Sequence, residues 1–230
     1  MKSTSKTAAF KITIIGVFVV FATLSSSAHS QTLLDVNFDD CVSGIYSESD
    51  VGDDFGELDF TNGVTEGRAE LVGGQAAFGG SGASLMVSYP AGSTGPREGG
   101  AQWLVELDTE TEEAYLTYRV KFRDGFDFVR GGKLPGLAGG SAPSGNAPAD
   151  GIRGWTGRMM WRNNFTGVSG QPQQTVTRGI SYAKHVFSGF DRDGRQEDRV
   201  FWVEDDGSDT TMVAGVWYTC LLYTSDAADE

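Results

Sequence analysis

Two arginines on one predicted strand are the clearest candidates for chemistry in this sequence. Strand alternation across residues 155–162 separates an apolar set, Trp155, Met159 and Trp161, from a polar set, Thr156, Arg158, Met160 and Arg162. Guanidinium groups bind carboxylates through two parallel hydrogen bonds. The polar face is therefore a candidate binding site for the uronic acid groups of a sugar polymer. A solvent-exposed face whose arginines pair with neighbouring acids is the alternative.

A second predicted strand, residues 179–187, carries a candidate for proton transfer. Tyr182 and Lys184 share one face of this strand, and His185 lies on the other. A nearby cation favours the phenolate form of a tyrosine, so Tyr182 is a plausible proton-transfer residue. A packed aromatic ring with its hydroxyl at the surface is the alternative. His185 is expected to have a structural or supporting role.

Lys133 lies in a glycine-rich segment between two predicted strands, residues 114–122 and 155–162. The flanking Gly131, Gly132 and Gly136 permit close approach of the backbone to a ligand. A lysine in such a loop is otherwise simply solvated, so Lys133 gains weight only from the residues around it.

The elements that must position these residues are short strands. Residues 114–122 alternate strictly, with Leu116, Tyr118 and Val120 on one face and Arg119 and Lys121 on the other. Helical periodicity is almost absent, and Gly, Asn, Asp and Ser separate the alternating runs. Further strands are predicted at 33–38, 69–71, 75–78, 84–89, 102–107, 155–162, 179–187, 200–203 and 213–219. About ten short strands without helices predict an all-β jelly roll of two packed sheets.

The two ends of the chain are predicted to lie outside the domain. Residues 1–30 combine lysines, an apolar run and small residues before Gln31, which is typical of a secretory signal peptide; a signal anchor is the alternative. Residues 220–230 follow a strand without turn residues and resemble a translated sequencing adapter, so we interpret them as a non-native tail; a natural polar tail is the alternative. Residues 31–219 form one domain, incomplete at its C-terminus.

Charge and cysteine content restrict the partners. The net charge of −13 stays the same when the three lysines of the leader and the three acids of the tail are both removed. An acidic domain does not favour nucleic acid, and an acidic polysaccharide needs a local concentration of cations. Cys41 is the only cysteine of residues 31–219, so no disulfide is expected within them.

Two weaker motifs point to other classes of site. Residues 57–61 resemble the start of a glucanase motif, but Thr61 stands where the second catalytic carboxylate should follow. Residues 191–198 are rich in acids but lack the spacing of a calcium loop. A glycoside hydrolase and a structural calcium ion thus remain alternatives with little support.

Four motifs in chain order resemble polysaccharide lyase family 14, the alginate and glucuronan lyase-like proteins. They lie at residues 93–103, 114–122, 132–137 and 157–162, within a resemblance that covers about 84–185. The resemblance implies a β-jelly roll of the concanavalin A-like lectin and glucanase type. It also implies β-elimination on a uronate polymer, in which the substrate carboxylate is neutralised while charge develops beside it.

The resemblance also implies roles for single residues. Lys133 matches the catalytic lysine of the family, Thr156 its serine, Arg158 its arginine, and Tyr182 the first residue of a Tyr-x-Tyr pair. Lys184 replaces the second tyrosine, which leaves the catalytic acid or the substrate preference open.

Substrate-binding roles are expected for Arg162, Lys184 and His185. Gln102 is a further candidate, because it follows the loop at 93–100 and can donate a hydrogen bond to the same carboxylate. An ordinary polar residue of the sheet is the alternative for Gln102.

Together these observations predict a secreted lyase for alginate or a related polyuronate, located outside the cell or in the periplasm of a bacterium. Neither an organic cofactor nor a metal is expected at the site, and we expect a monomer that binds neither nucleic acid nor membrane after cleavage of the leader. A carbohydrate-binding jelly roll without catalysis is the first alternative function, and a glycoside hydrolase is the second.

Overall fold

The structure is a computed structural model of the full 230-residue chain. It describes residues 9–14, 20–23, 31–56, 58–129, 131–145, 147–149, 154–166, 174–184, 198–201, 206, 208 and 210–225. At residues 9–14, 20–23, 59, 163–166, 174–184, 198–201 and 224–225 the backbone alone is described.

Strands account for most of the regular structure. In chain order the elements are β1 (Ala9–Ile14), β2 (Val20–Thr23), β3 (Thr32–Val36), β4 (Gly44–Ile45), α1 (Glu48–Phe55), β5 (Leu58–Asn62), β6 (Ala69–Gly73), β7 (Ala83–Val87), β8 (Gln102–Glu110), β9 (Glu113–Lys121), β10 (Gly131–Gly140), β11 (Gly154–Thr166), β12 (Gln174–Lys184), β13 (Asp198–Phe201) and β14 (Trp217–Ser225).

The strands form three antiparallel sheets. The largest has seven strands in the order β13-β12-β11-β10-β1-β8-β5, the second has the order β14-β9-β2-β3, and the third has the order β4-β6-β7. Buried side chains of β6, β7, β8, β9, β10 and β11 belong to one hydrophobic core. The prediction of an all-β fold is confirmed.

Strand β9 shows why its residues form a half-buried strand. Leu116 and Tyr118 are fully buried, whereas Arg119 and Lys121, on the other face, are only half-buried. Each buried apolar side chain contributes about 1.5–3 kcal/mol, so the alternation fixes which face of β9 meets the core. The predicted strand at 114–122 is confirmed to within one residue at each end.

A short helix was not predicted. Ser47 caps α1: its hydroxyl accepts a hydrogen bond from the Asp50 backbone N–H, and the Asp50 side chain accepts one from the Ser47 backbone. Val51 and Phe55, one helical turn apart, are buried. The expectation of a fold without helices is therefore wrong, and the Ser-x-x-Asp capping box was the readable signal.

The glycine-rich segment is a strand rather than a loop. Residues 131–140 form β10, with an irregularity between Lys133 and Gly136 that accommodates Pro135. The predicted strand at 75–78 is wrong in the opposite sense. Two 3-10 turns occupy this stretch, Gly74–Ala76 and Phe78–Gly80, because Gly74 (φ 60°) and Gly79 (φ 70°) adopt left-handed backbone conformations.

Both predicted terminal segments lie within sheets in the full-length chain. Strand β1 pairs with β8 and β10, and β2 pairs with β3 and β9. Strand β14 runs from Trp217 into the tail that begins at Cys220 and pairs with β9 along its whole length. The signal peptide and the non-native tail stay predictions, and cleavage after Ser30 would remove β1 and β2 from their sheets.

The predicted loop at 90–100 is fastened by a buried arginine. The Arg68 guanidinium donates hydrogen bonds to the carbonyl oxygens of Pro96 (3.3 Å), Arg97 (3.2 Å) and Gly100 (2.8 Å). Arg68 is 8% exposed, and these backbone acceptors, together with the Glu66 carboxylate 3.7 Å away, satisfy a charge that lies mostly out of water. The loop is thereby held against the residue that immediately precedes β6.

The cysteines and the helix content complete the description of the fold. Neither cysteine forms a disulfide: Cys41 is exposed and Cys220 is buried. Within the described ranges, no helix has the length and apolar character needed to cross a bilayer.

Candidate active site

Strands β10 and β11 bring the predicted site residues onto one sheet face. We call the set Lys133, Thr156, Arg158, Met160 and Arg162 the cationic face. Cross-strand partners in an antiparallel pair belong to the same face, so the register fixes this grouping. The register pairs are Lys133 with Met160, Gly136 with Arg158, and Ala138 with Thr156.

The opposite face of β11 anchors the strand in the core, as predicted. Met159 and Trp161 are buried, and the Trp161 ring packs edge to face on Phe122 with centroids 5.1 Å apart. The Trp161 indole N–H donates to the Phe128 carbonyl (3.2 Å). Because the apolar face is fixed in this way, the arginines must lie on the other side of the sheet.

Burial differs sharply within the cationic face. Arg158 is 2% exposed and Thr156 1% exposed, whereas Lys133 and Arg162 are half-buried. A charge in a poorly solvated environment acts more strongly on a neighbouring charge than one in water. Arg158 is thus the buried cation of the cationic face, which we call its floor, and Lys133 and Arg162 are the cations that solvent or a ligand can reach. The alternative of a simple solvent-exposed strand face does not describe Arg158.

Glycines of β10 make room for the large side chains of β11. A Cβ atom at Gly136 would lie 2.3 Å from the Arg158 Cβ, and one at Gly132 would lie 2.1 Å from the Trp161 ring. Gly139 stands in the same relation to Trp155, whose indole nitrogen would lie 2.5 Å from the added carbon. The glycines were predicted to permit approach of a ligand; in the structure they accommodate the neighbouring strand.

The Thr156 hydroxyl is engaged by the loop that joins β10 to β11. Its Oγ1 donates a hydrogen bond to the Pro143 carbonyl oxygen at 2.8 Å, in a buried position. A threonine held in this way positions the loop over the sheet. The structure therefore assigns Thr156 a contact that the sequence did not predict.

Strand β12 places the candidate tyrosine beside the buried arginine. The backbone register pairs Tyr182 with Arg158 and Lys184 with Thr156. The predicted neighbourhood of Tyr182, Lys184 and Arg158 is thus consistent with the sheet register. His185 lies outside the described residues, as do residues 191–197 of the acid-rich segment.

Sequence reasoning missed two cations at this site. The register pairs Arg178 of β12 with Arg162, and Arg199 of β13 with Tyr182. Tyr182 therefore has an arginine register partner on each side. Alternation along residues 178–184 was the available signal for Arg178, whereas Arg199 depends on strand pairing that the sequence does not reveal.

Gln102 lies on the same sheet but further from the arginines. It is the first residue of β8 and pairs with Asn62 of β5. Strand β1 separates β8 from β10, and the cross-strand row through Gly136 and Arg158 reaches β8 at Leu104. Gln102 is two residues before Leu104 on β8, so it lies on the same sheet face as that row but is displaced from it by two strand positions.

Two cavities in the described part of the chain lie elsewhere. One, of about 580 Å³, is lined by residues that include Phe122, Phe126 and Trp161, and the other, of about 700 Å³, lies beside α1 and β8. Neither is lined by a residue of the cationic face. A polymer can bind along an open sheet face, so a binding site for one need not coincide with a cavity.

Two described tyrosines are poor candidates for proton transfer. Burial, followed by a hydrogen bond to Asp54, raises the pKa of Tyr46 above the usual range of a phenol. Burial also raises the pKa of Tyr118 well above that range. Both remain protonated near neutral pH, so neither acts as a base there. No group of three or more metal-binding side chains occurs among the described residues.

Comparison with known proteins bears on the family and on the fold. A family model, polysaccharide lyase 14, matches residues 78–175. A solved structure of the alginate lyase Aly36B is similar with a TM-score of 0.63 and 24% sequence identity, covering 84% of this chain and 68% of that chain. Comparison with curated proteins finds no match.

The structural likeness bears on the fold, and the family match bears on the residues of the candidate site. The structural likeness confirms the predicted jelly-roll fold. The matched region contains Lys133, Thr156, Arg158 and Arg162 and ends within β12. The family match covers the motifs at residues 93–103, 114–122, 132–137 and 157–162 that carry the resemblance predicted from the sequence.

Proposed function

We propose that this chain cleaves an acidic polyuronate, alginate or a related polymer such as glucuronan, by β-elimination. The proposal is supported by the family match and by the charge of the site. A chain of net charge −13 collects Lys133, Arg158 and Arg162 on one face, and Arg178, Lys184 and Arg199 at register positions beside them. Such a concentration of cations attracts an anionic polymer despite the net charge.

The reaction needs three operations on one uronate residue. A cation neutralises the carboxylate, a base removes the proton from C5, and an acid protonates the C4 oxygen as the C4–O bond breaks. The electrons of the C5–H bond form the new C4–C5 double bond, so a chain is cut without water. Neutralisation matters most because negative charge develops next to the carboxylate in the transition state.

The candidates for neutralisation belong to the cationic face, and the candidate for proton transfer has a register position beside it on β12. Lys133 and Arg162 bind carboxylates at the surface, and Arg158 stabilises the developing charge from the floor of the face. Tyr182 takes the proton from C5 and delivers it to the C4 oxygen, so that the proton leaves with the departing sugar. Thr156 holds the loop through Pro143 and so acts as a positioning residue. Lys184, His185 and Gln102 are proposed to contact other parts of the substrate.

The register of Tyr182 between Arg158 and Arg199 is the observation that carries this assignment. Positive charges on either side favour the phenolate, which is the form of a tyrosine that can accept a proton. In Tyr46 and Tyr118, burial has the opposite effect on the pKa. A proton-transfer role therefore fits Tyr182 better than it fits these two tyrosines.

The test is an absorbance assay with four polymers. Alginate, polyguluronate, polymannuronate and glucuronan are incubated with the full chain, and the ultraviolet absorbance of the unsaturated uronate is followed. We expect a rise with at least one polymer. New reducing ends without absorbance would instead indicate a hydrolase, and binding without either signal would indicate a carbohydrate-binding protein.

Tyr182→Phe tests the proton-transfer role. We expect turnover to be abolished while affinity for the polymer is retained, because only the hydroxyl is lost. Tyr115→Phe, which removes a hydroxyl from β9, is the matched control and should remain active. An active Tyr182→Phe variant would remove Tyr182 from the mechanism.

Three further properties complete the proposal. The reaction requires no organic cofactor or metal, so activity should persist in a chelator. The chain is exported after cleavage following Ser30, which the N-terminal sequence of the exported protein would test. It acts as a monomer, which its mass in solution would test.

A further inference from the structure

A group of aromatic rings and cations lies on the outer face of β9 and β14. We call Phe78, Arg119, Lys121 and Trp217 the aromatic strip. Lys121 and Trp217 are register partners, and the Lys121 Nζ lies 4.9 Å from the centroid of the Trp217 ring. The Arg119 guanidinium lies 4.2 Å from the centroid of the Phe78 ring.

The two rings of the strip also contact each other. Phe78 and Trp217 meet edge to face, with centroids 5.4 Å apart and planes at 89°. Each ring thus has a cation near its face and is in contact with the other ring. The four side chains form one continuous surface rather than isolated exposed residues.

This surface is accessible. Phe78 is 41% exposed, and Arg119, Lys121 and Trp217 are half-buried. Tyr118 and Val120, on the other face of β9, are buried in the core that also contains Met159 and Trp161 of β11. The core therefore lies between the aromatic strip and the cationic face, and the strip is a separate site.

The strip is positively charged within an acidic chain. Among the described residues, no carboxylate forms an ion pair with Arg119 or Lys121. The two cations are two strand positions apart, about 6.6 Å along β9. Glu113, on the same face of β9, is about 20 Å from Arg119 along the strand. The acid nearest to the strip along the chain is Asp124, beside Gly215.

We propose that the aromatic strip is a second binding site for the polyuronate chain, distinct from the site of cleavage. Sugar rings pack on the exposed apolar surface that Phe78 and Trp217 form together, and their carboxylates pair with Arg119 and Lys121. A guanidinium stacked on a ring still presents its N–H groups at its edge, which is the geometry for a carboxylate. A polymer combines repeated rings with repeated carboxylates and therefore matches both features.

This inference takes the identity of the polymer from the proposed function, but the binding event is independent of catalysis. A second site raises the local concentration of polymer at the first, because the two are linked through one protein. Its loss should weaken binding of long chains and leave cleavage of short oligomers unchanged.

The test compares two double variants of the full chain with equal changes in charge. Arg119→Gln with Lys121→Gln removes the cations of the strip, and Arg97→Gln with Arg123→Gln removes two exposed cations outside it. Binding is measured as retardation in native gels that contain alginate or a neutral glucan. Saturating uronate oligomer, too short to reach the strip from the cationic face, occupies the site of cleavage.

We expect the strip variant to lose affinity for alginate by roughly three- to tenfold, as for exposed charge pairs, with the control unchanged. The wild-type interaction should weaken as salt is raised. In activity assays the KM for long alginate should rise in the strip variant, while kcat/KM for the short oligomer stays constant.

Several results would overturn the inference. Equal retardation of the two variants, equal retardation of wild type by neutral glucan, or a change of oligomeric state in the strip variant alone would each do so. The last outcome would show that the strip joins copies of the chain. If no polymer yields unsaturated product but the strip variant alone loses alginate binding, the proposed function fails and the second site stands.

Discussion

The cationic face and the aromatic strip present cations in opposite environments. Arg158 is almost fully buried in β11, between β10 and β12, whereas Arg119 lies over an exposed phenyl ring on β9. A buried charge is costly unless its surroundings are arranged for it, so its place indicates a demanding role. An exposed cation stacked on a ring costs little and contributes modestly. The comparison separates the site proposed for chemistry from the site proposed for binding alone.

The largest effect is expected at Arg158. Arg158→Lys keeps the charge but loses the planar fork, and we expect kcat/KM to fall by about 10²-fold or more, as when a preorganised donor is removed. The absorbance assay measures this, and circular dichroism checks that the variant is folded. A folded Arg158→Lys variant with undiminished activity would contradict the assignment of Arg158 to the reaction.

Gly136→Ala tests how tightly β10 fits against Arg158. The added Cβ would lie 2.2 Å from the Gly157 carbonyl oxygen as well as close to Arg158, so we expect a loss of about 1–3 kcal/mol in the free energy of unfolding. Gly157→Ala is the control, because its Cβ would meet only the Trp155 ring at 3.6 Å. Urea denaturation of both variants measures the difference. Equal midpoints would mean that the close approach of β10 to β11 is unimportant.

Thr156→Val should have a smaller effect. The variant loses the hydrogen bond to Pro143 but keeps the shape of the side chain, so we expect it to unfold with about 1 kcal/mol less free energy. Thr156→Ser retains the hydroxyl and should recover most of the stability and activity. If valine and serine behave alike, the bond does not position the loop.

The smallest effect on stability is expected in the aromatic strip. Lys121→Gln removes a cation from the Trp217 ring, and the free energy of unfolding should change by about 0.5–1 kcal/mol at most. Chemical denaturation at low salt measures it. A loss comparable to that of Gly136→Ala would show that the strip is needed for folding, which would remove the contrast between the two regions.

The sequence predicted those strands whose two faces differ in polarity. In β9 and β11 the alternation of large apolar and charged residues identified the faces, and the structure orients them accordingly. The sequence did not predict β10, because glycine and proline each have a low intrinsic preference for strands. The reason for its glycines lies in β11, where Trp161 and Arg158 occupy the space.

The sequence predicted which residues belong to the candidate site, but it did not predict how deeply they are buried or what they contact. Lys133, Thr156 and Arg158 do lie on one face, since alternation and pairing of adjacent strands bring them there. The burial of Arg158 and the partnership of Thr156 with Pro143 depend on a loop whose course alternation does not encode. Arg199 was missed because its position depends on the pairing of β12 with β13.

The hold of Arg68 on the 90–100 loop has a consequence for protein engineering. Because the guanidinium binds carbonyl oxygens only in the second half of the loop, at Pro96, Arg97 and Gly100, the length of that half is fixed. Insertions near Ala91 and Gly92 should be accommodated. The same insertions after Pro96 would move the carbonyl oxygens of Arg97 and Gly100 away from Arg68 and leave its guanidinium without these hydrogen bonds. Loop grafting from relatives should therefore transplant Arg68 together with the residues that it fastens.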